Sequence, residues 1–117
     1  AFPEPYVLDA SKCISYLTIE HWGDLPVGFE NKLSGWIYGC DICQEVCPWN
    51  IKFSQLSTEN SFKPRENLKG RPIPQWEKLT EDDFGTLFKK SAVKRTKFVG
   101  LKRNIALLEK NSSKNPN

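Results

Sequence analysis

The sequence has no methionine and only one histidine, His21, among its 117 residues. Without an initiator, the start at Ala1-Phe2-Pro3 is expected to be a cut or processed end. A lone histidine excludes a metal site built on paired imidazoles, which leaves His21 as a structural or surface residue. No apolar run reaches the roughly 18 residues that a membrane-spanning helix needs. No basic region leads into an apolar stretch, so no signal peptide is read either. These absences point to a cytoplasmic protein with no membrane partner. No internal repeat is visible.

What is present fits one compact unit, or a small module with an appended helical piece, and is too short for a large two-domain enzyme. Four Trp, seven Phe and three Tyr supply core material, but a mean hydropathy of -0.53 makes that core thin. Something besides burial is expected to help hold it. Charge is divided along the chain: residues 1–60 carry eight acids and three bases, residues 61–117 six acids and fourteen bases. Attraction for a polyanion therefore belongs to the second part, with a solvated lysine-rich helical surface as the plainer alternative.

Asp9 stands at an N-cap position before ASKCISYLTIEHWG, where Cys13, Tyr16, Leu17 and Glu20 fall at helical spacing and Gly23 is a stop. Phe29, Leu33, Trp36 and Ile37 share a face and predict a helix over 24–38 after Asp24-Leu25-Pro26. CDICQEVCP reads as one or two helical turns ended by Pro48, with Cys40, Cys43 and Cys47 on one face. Residues 51–79 lack a sustained period and read as an irregular linker. Thr80-Glu81-Asp82-Asp83 resembles a capping sequence, and Phe98, Leu101, Ile105 and Leu108 form a second apolar stripe, so 80–110 reads as helical. Residues 111–117 are expected to be a disordered tail.

The four cysteines stand in a C-x26-C-x2-C-x3-C-P arrangement. In a reducing compartment thiolate ligation is the better reading than two disulfides. A zinc ribbon takes two C-x2-C knuckles, whereas C-x3-C-P is the closing step of the bacterial ferredoxin motif, so the spacing favours iron–sulfur over zinc. Plain reduced core cysteines are a third reading. A thioredoxin-like use of Cys40 and Cys43 is weaker, because no βαβ pattern surrounds them. In two-cluster ferredoxins the Cys before Pro reaches the other cluster. On that logic Cys47 serves a second cluster, while Cys13, Cys40 and Cys43 serve the nearer one. Further cysteines are then expected upstream of Ala1.

CISYLTIEH at 13–21, GCDICQEVCPWN at 39–50 and SAVKRTKFVGLKRN at 91–104 together resemble epoxyqueuosine reductase, over nearly the whole stretch from Tyr6 to Ala106. The resemblance implies a mainly α chain, with a truncated ferredoxin-like double-cluster [4Fe-4S] module at 1–50 and the start of a HEAT-like α-helical repeat region at 80–110. It implies reduction of epoxyqueuosine to queuosine at the wobble position of a tRNA anticodon, with cobalamin as redox partner, a low-potential electron donor and a monomeric full-length enzyme. It also implies two [4Fe-4S] clusters shared with a missing upstream region, with Cys13, Cys40 and Cys43 on one and Cys47 on the other. The family's proton donor lies in the N-terminal domain, so no catalytic residue is assigned here and this piece is not expected to turn over alone.

By the same analogy Ser15, Tyr16 and Glu20 are candidates for contact with cobalamin or tRNA. Lys89, Lys90, Lys94, Arg95, Lys97, Lys102 and Arg103 are candidates for tRNA phosphates. Trp22, Trp36 and Trp49 flank the cysteine segments and either shield clusters from water or stack on an unpaired base. Two rivals stay open: a non-catalytic zinc- or cluster-stabilised RNA-binding module, and the iron–sulfur part of a cobalamin-dependent dehalogenase relative, which has no need of the basic stretch.

Overall fold

The computed structural model describes residues 1–112 apart from Glu30, with side chains described as far as Leu108. The described residues are helical, with no strand beyond one isolated bridge between Glu4 and Val7. Six α-helices are present among them: α1 (Ile14–Ile19), α2 (Ile42–Glu45), α3 (Pro48–Phe53), α4 (Ile73–Glu77), α5 (Glu81–Leu87) and α6 (Lys97–Ser112). None is long and apolar enough to cross a membrane.

The 16-residue α6 joins the two apolar clusters of the chain. Its Leu101 and Ile105 are buried with Leu79, Phe84 and Phe88, and Trp76, Leu87, Val93 and Phe98 close around them. Leu107, two residues beyond Ile105, packs against a second cluster of Leu17, Leu25 and Leu33. Burying each such leucine contributes about 1.5–3 kcal/mol. The expected stripe is therefore the core face, with Leu108 half-buried at its end.

α5 begins as its capping sequence predicts. The Thr80 hydroxyl accepts from the Asp83 N–H at 3.1 Å, and the Asp83 carboxylate accepts from the Thr80 N–H at 3.1 Å. Asp9 also caps, accepting from the Ser11 N–H, but the turn it starts is a 3-10 turn at Ala10–Lys12. Cys13 resets the backbone to an extended conformation before α1 and is its N-cap.

The helix expected over 24–38 is not formed, and its described residues lie in turns. Gly28, Ser34 and Gly35 take φ of 88°, 51° and 85°, a left-handed conformation that interrupts a helix and costs glycine least. Leu25 and Leu33 reach the core from these turns, so the apolar spacing marked burial and not conformation.

Pro48 likewise starts a helix instead of ending one. It sits at N1 of α3, where its missing N–H costs nothing, and Cys47 is the N-cap. The linker expected over 51–79 is exposed through residue 67 but contains a 3-10 turn at Asn60–Phe62 and then α4. Its second half is fastened down. Leu68 and Trp76 pack on the α5–α6 core. Arg65 donates to the Leu87 and Lys89 carbonyls at 2.6 and 3.0 Å, a cation on the open carbonyls at the C-terminus of α5. Asn111 and Ser112 continue α6, and the rest of the expected tail, 113–117, lies outside the described residues.

Candidate metal centre

The four cysteines occupy three kinds of position. Cys13 and Cys47 are helix N-caps with φ/ψ of -75°/127° and -68°/121°, and neither thiol makes a capping hydrogen bond. Cys40 lies in the irregular link after Gly39, and Cys43 is the second residue of α2. Cys40, Cys43 and Cys47 therefore do not share one helical face, because the chain leaves α2 at Val46 and restarts at Pro48. All four thiols are free, Cys43 exposed and the others half-buried. In residue type they fit the thiolate chemistry of an iron–sulfur or zinc site. Among the described residues no group of three or more His, Cys, Asp or Glu side chains already stands where it could hold a metal ion, so a metal would have to draw these thiols together as it binds.

The structure does fix the platform from which Cys13 and Cys40 project. The side chain of Thr18, in α1, accepts from the Gly39 N–H at 3.0 Å, tying α1 to the residue before Cys40. Asn104, fully buried on α6, donates from one Nδ2 to the Thr18 and Ile37 carbonyls at 2.8 and 2.9 Å. Thr96 adds a 2.9 Å bond from its hydroxyl to the same Thr18 carbonyl. A short helix leaves its last carbonyls unpaired, and here side chains distant in sequence satisfy them. Asn104 and Thr96 were not legible as site residues. The available signal was a polar residue, Asn104, set between Leu101 and Ile105 in an apolar stripe.

Arg103 completes this clamp, which corrects its expected place on a phosphate-binding face. Its Nη1 donates to the His21 and Gly23 carbonyls at 2.9 and 2.6 Å, and its Nη2 to the Leu17 carbonyl at 2.7 Å. Burial draws its pKa below the usual arginine range, with the charge of Asp24 opposing. Lys102 is also engaged internally, donating to the Glu77 carbonyl, and Arg95 pairs with Glu20. The Arg95 hydrogen bond holds the Glu20 carboxyl below its ordinary value, and Glu20 in turn raises Arg95. Lys89, Lys90, Lys94 and Lys97 are exposed, with no ion pair among the described residues.

Of the residues proposed to face a cofactor, Tyr16 is exposed, Ser15 is half-buried, and Glu20 is committed to Arg95. His21 has the expected structural role, its Nε2 lying 2.8 Å from the Asp24 carbonyl. Trp36 is half-buried, whereas Trp22 and Trp49 are 73% and 72% exposed, Trp49 stacking on Phe53 at 5.4 Å.

Residues 1–50 match the 4Fe-4S double cluster binding domain. Curated proteins named epoxyqueuosine reductase match nearly the whole chain. That of Cellulophaga algicola is 50% identical over 109 residues, covering 93% of this chain and 35% of the relative. That of Leadbetterella byssophila is 53% identical over 105 residues, covering 90% and 34%. That of Escherichia coli is 42% identical over 107 residues, covering 92% and 28%. No solved structure matches. The chain spans about a third of the length of these curated relatives, and over that third it is similar to the epoxyqueuosine reductases.

Proposed function

We propose that this chain is the iron–sulfur electron-transfer part of an epoxyqueuosine reductase, an oxidoreductase that converts epoxyqueuosine to queuosine at the wobble position of a tRNA anticodon with the help of cobalamin. The observation that carries this reading is the set of four unpaired thiols, spaced C-x26-C-x2-C-x3-C-P, inside the stretch that matches the double-cluster domain. Cys13, Cys40 and Cys43 ligate one [4Fe-4S] cluster and Cys47 ligates another, whose remaining ligands are not among the four cysteines of this chain. Such clusters supply one-electron transfer at a potential set by net charge, hydrogen bonds to sulfur and burial.

The chain's own residues do three things in this reading. Asn104, Thr18 and Thr96 hold α1 against the Gly39–Cys40 link. Ser15 and Tyr16 face cobalamin or the anticodon. Lys89, Lys90, Lys94 and Lys97 draw tRNA phosphates by long-range attraction. Residues 1–50 are a ferredoxin-like module, 51–79 the connection and 80–110 the opening of a helical repeat region. The whole enzyme works in the cytoplasm as a monomer, with electrons from a low-potential donor.

Metal analysis after anaerobic reconstitution of the chain tests this. Iron and acid-labile sulfide should appear in equal amounts, with a visible charge-transfer absorbance. Cys13→Ser and Cys43→Ser should lose most of both, and Cys47→Ser should keep the iron of the first cluster. Bound zinc without sulfide would overturn the iron–sulfur reading. Equal loss in all three variants would overturn the division of ligands between clusters.

A further inference from the structure

Trp22 stands just past α1 with most of its ring in water, and among the described residues no aromatic or cationic group stacks on it. A large aromatic side chain left this exposed contributes little to the core. Its position is nevertheless not arbitrary, because it lines two adjoining cavities. One, of about 490 Å³, is bounded by Trp22, Asp24, Thr96, Lys97, Gly100 and Arg103. The other, of about 460 Å³, is bounded by Ile19, Glu20, Trp22, Lys94, Arg95 and Lys97.

The charges around Trp22 do not cancel. Arg95 neutralises Glu20, which leaves the Lys94 and Lys97 ammonium groups on the second cavity with no carboxylate of their own. On the first cavity Asp24 is one acid beside two bases, Lys97 and Arg103. The Arg103 guanidinium is occupied by carbonyls yet keeps its charge. Both cavities are therefore net positive, and Lys97 borders both.

From this geometry we infer that Trp22, Lys94 and Lys97 form a binding site for single-stranded RNA, in which one unstacked nucleobase lies on the Trp22 ring and an adjacent phosphate sits between Lys94 and Lys97. An indole face accepts any base by stacking, and paired ammonium groups beside it accept the backbone charge. A lipid surface would also attract tryptophan and lysine, and binding to anionic vesicles is the outcome that would favour it. The inference rests on the tRNA reading above and deepens it, because it places contact with an unpaired nucleotide on residues that no metal ligation involves.

Fluorescence titration of the chain tests it, with four probes: a seven-nucleotide single-stranded RNA, a duplex RNA of matched composition, whole tRNA, and vesicles of anionic phospholipid. The single strand should quench tryptophan emission saturably and bind more tightly than the duplex. Trp22→Ala should weaken single-strand binding about tenfold or more and remove most of the quenching, in line with the stacking contribution of one base. Trp22→Phe should restore most of the affinity. Lys94→Gln combined with Lys97→Gln should lower the slope of log K against log salt by about 0.7 for each phosphate that is no longer neutralised. Circular dichroism should be unchanged throughout, since all three side chains are exposed.

Equal binding of single strand and duplex, with no effect of Trp22→Ala, would overturn the site. If Trp22→Ala left tRNA affinity intact while the lysine pair reduced it, the tRNA reading would stand and the base site would fall. Binding of neither RNA by the unaltered chain, or binding only to vesicles of anionic phospholipid, would sink both.

Discussion

Replacing Asn104 with leucine tests the clamp between α1 and the cysteine link. The side chain is fully buried and makes bonds in three directions, to the Thr18 carbonyl, the Ile37 carbonyl and the Arg103 guanidinium. Their fates differ when it is removed. The Thr18 carbonyl keeps the Thr96 hydroxyl and is not orphaned. The Ile37 carbonyl, which is part-buried, is deprived of the donor from Asn104, which places its cost toward the lower part of the range of about 1–3 kcal/mol for an unsatisfied buried acceptor. Arg103 gives up an acceptor but retains three carbonyls and part of its hydration, so its share lies toward the low end of the roughly 1.5–3 kcal/mol of a charged hydrogen bond. Leucine has similar volume, so no large cavity is added. The total is about 2–4 kcal/mol, a large part of the roughly 5–15 kcal/mol that stabilises a typical domain. Urea unfolding of the chain followed by far-ultraviolet circular dichroism should show this as a lower midpoint with an unchanged slope. Val99→Ala, on an exposed position of the same helix, should stay within about 0.5 kcal/mol of the unaltered chain. An Asn104→Leu chain within about 1 kcal/mol of the parent would refute the claim that this network holds the platform.

A Cβ at Gly100 would stand 2.7 Å from the Thr96 hydroxyl that bonds Thr18. Gly100→Ala should therefore destabilise the chain in the same urea assay, although alanine in an open helix gains about 1 kcal/mol over glycine; a stabilised variant would show that Thr96 moves freely. At the start of α5 the Thr80 hydroxyl, followed by the Thr80 N–H, holds the Asp83 carboxyl below its unfolded value of 3.8. A lowered folded pKa gives stability that is present above the unfolded value and lost as pH falls through the folded one. Asp83→Asn should therefore flatten the acid limb of a stability profile below about pH 4 and leave its slope near neutrality unchanged, and an unaltered acid limb would count against the capping box.

Local signals in the sequence translated directly into structure where one side chain meets a nearby backbone group. Thr80 with Asp83 is such a case, and so is Asp9 with Ser11. The α6 stripe was legible because burial on one helix follows a single period. The helix expected over 24–38 was not, since spacing records which residues are buried while the backbone is decided by the left-handed turns at Gly28, Ser34 and Gly35. The cysteine spacing suggested a donor set on one helical face, and the break between α2 and α3 denies it that common face. The inward turn of Arg103 was invisible for a different reason. Its partners are carbonyls at 17, 21 and 23, more than 75 residues away, and backbone carbonyls have no sequence signature.

The placement of the core separates the stability of this chain from the order of its cysteines. Both apolar clusters are joined through α6, and neither contains a buried residue between Cys40 and Leu68. Ile42, Val46, Trp49 and Ile51 instead remain open to water, and α2 and α3 are connected by bonds from Asn50 to Gln44. Cys13 and Cys40 thus adjoin a platform secured by buried hydrogen bonds, while Cys43 and Cys47 sit on short helices that the core does not anchor. Metal binding releases free energy in ordering a site that the polypeptide alone does not preform. Under the proposed ligation, that energy acts on the stretch from Asp41 to Phe53, and the network around Asn104 supplies the fixed edge against which it closes.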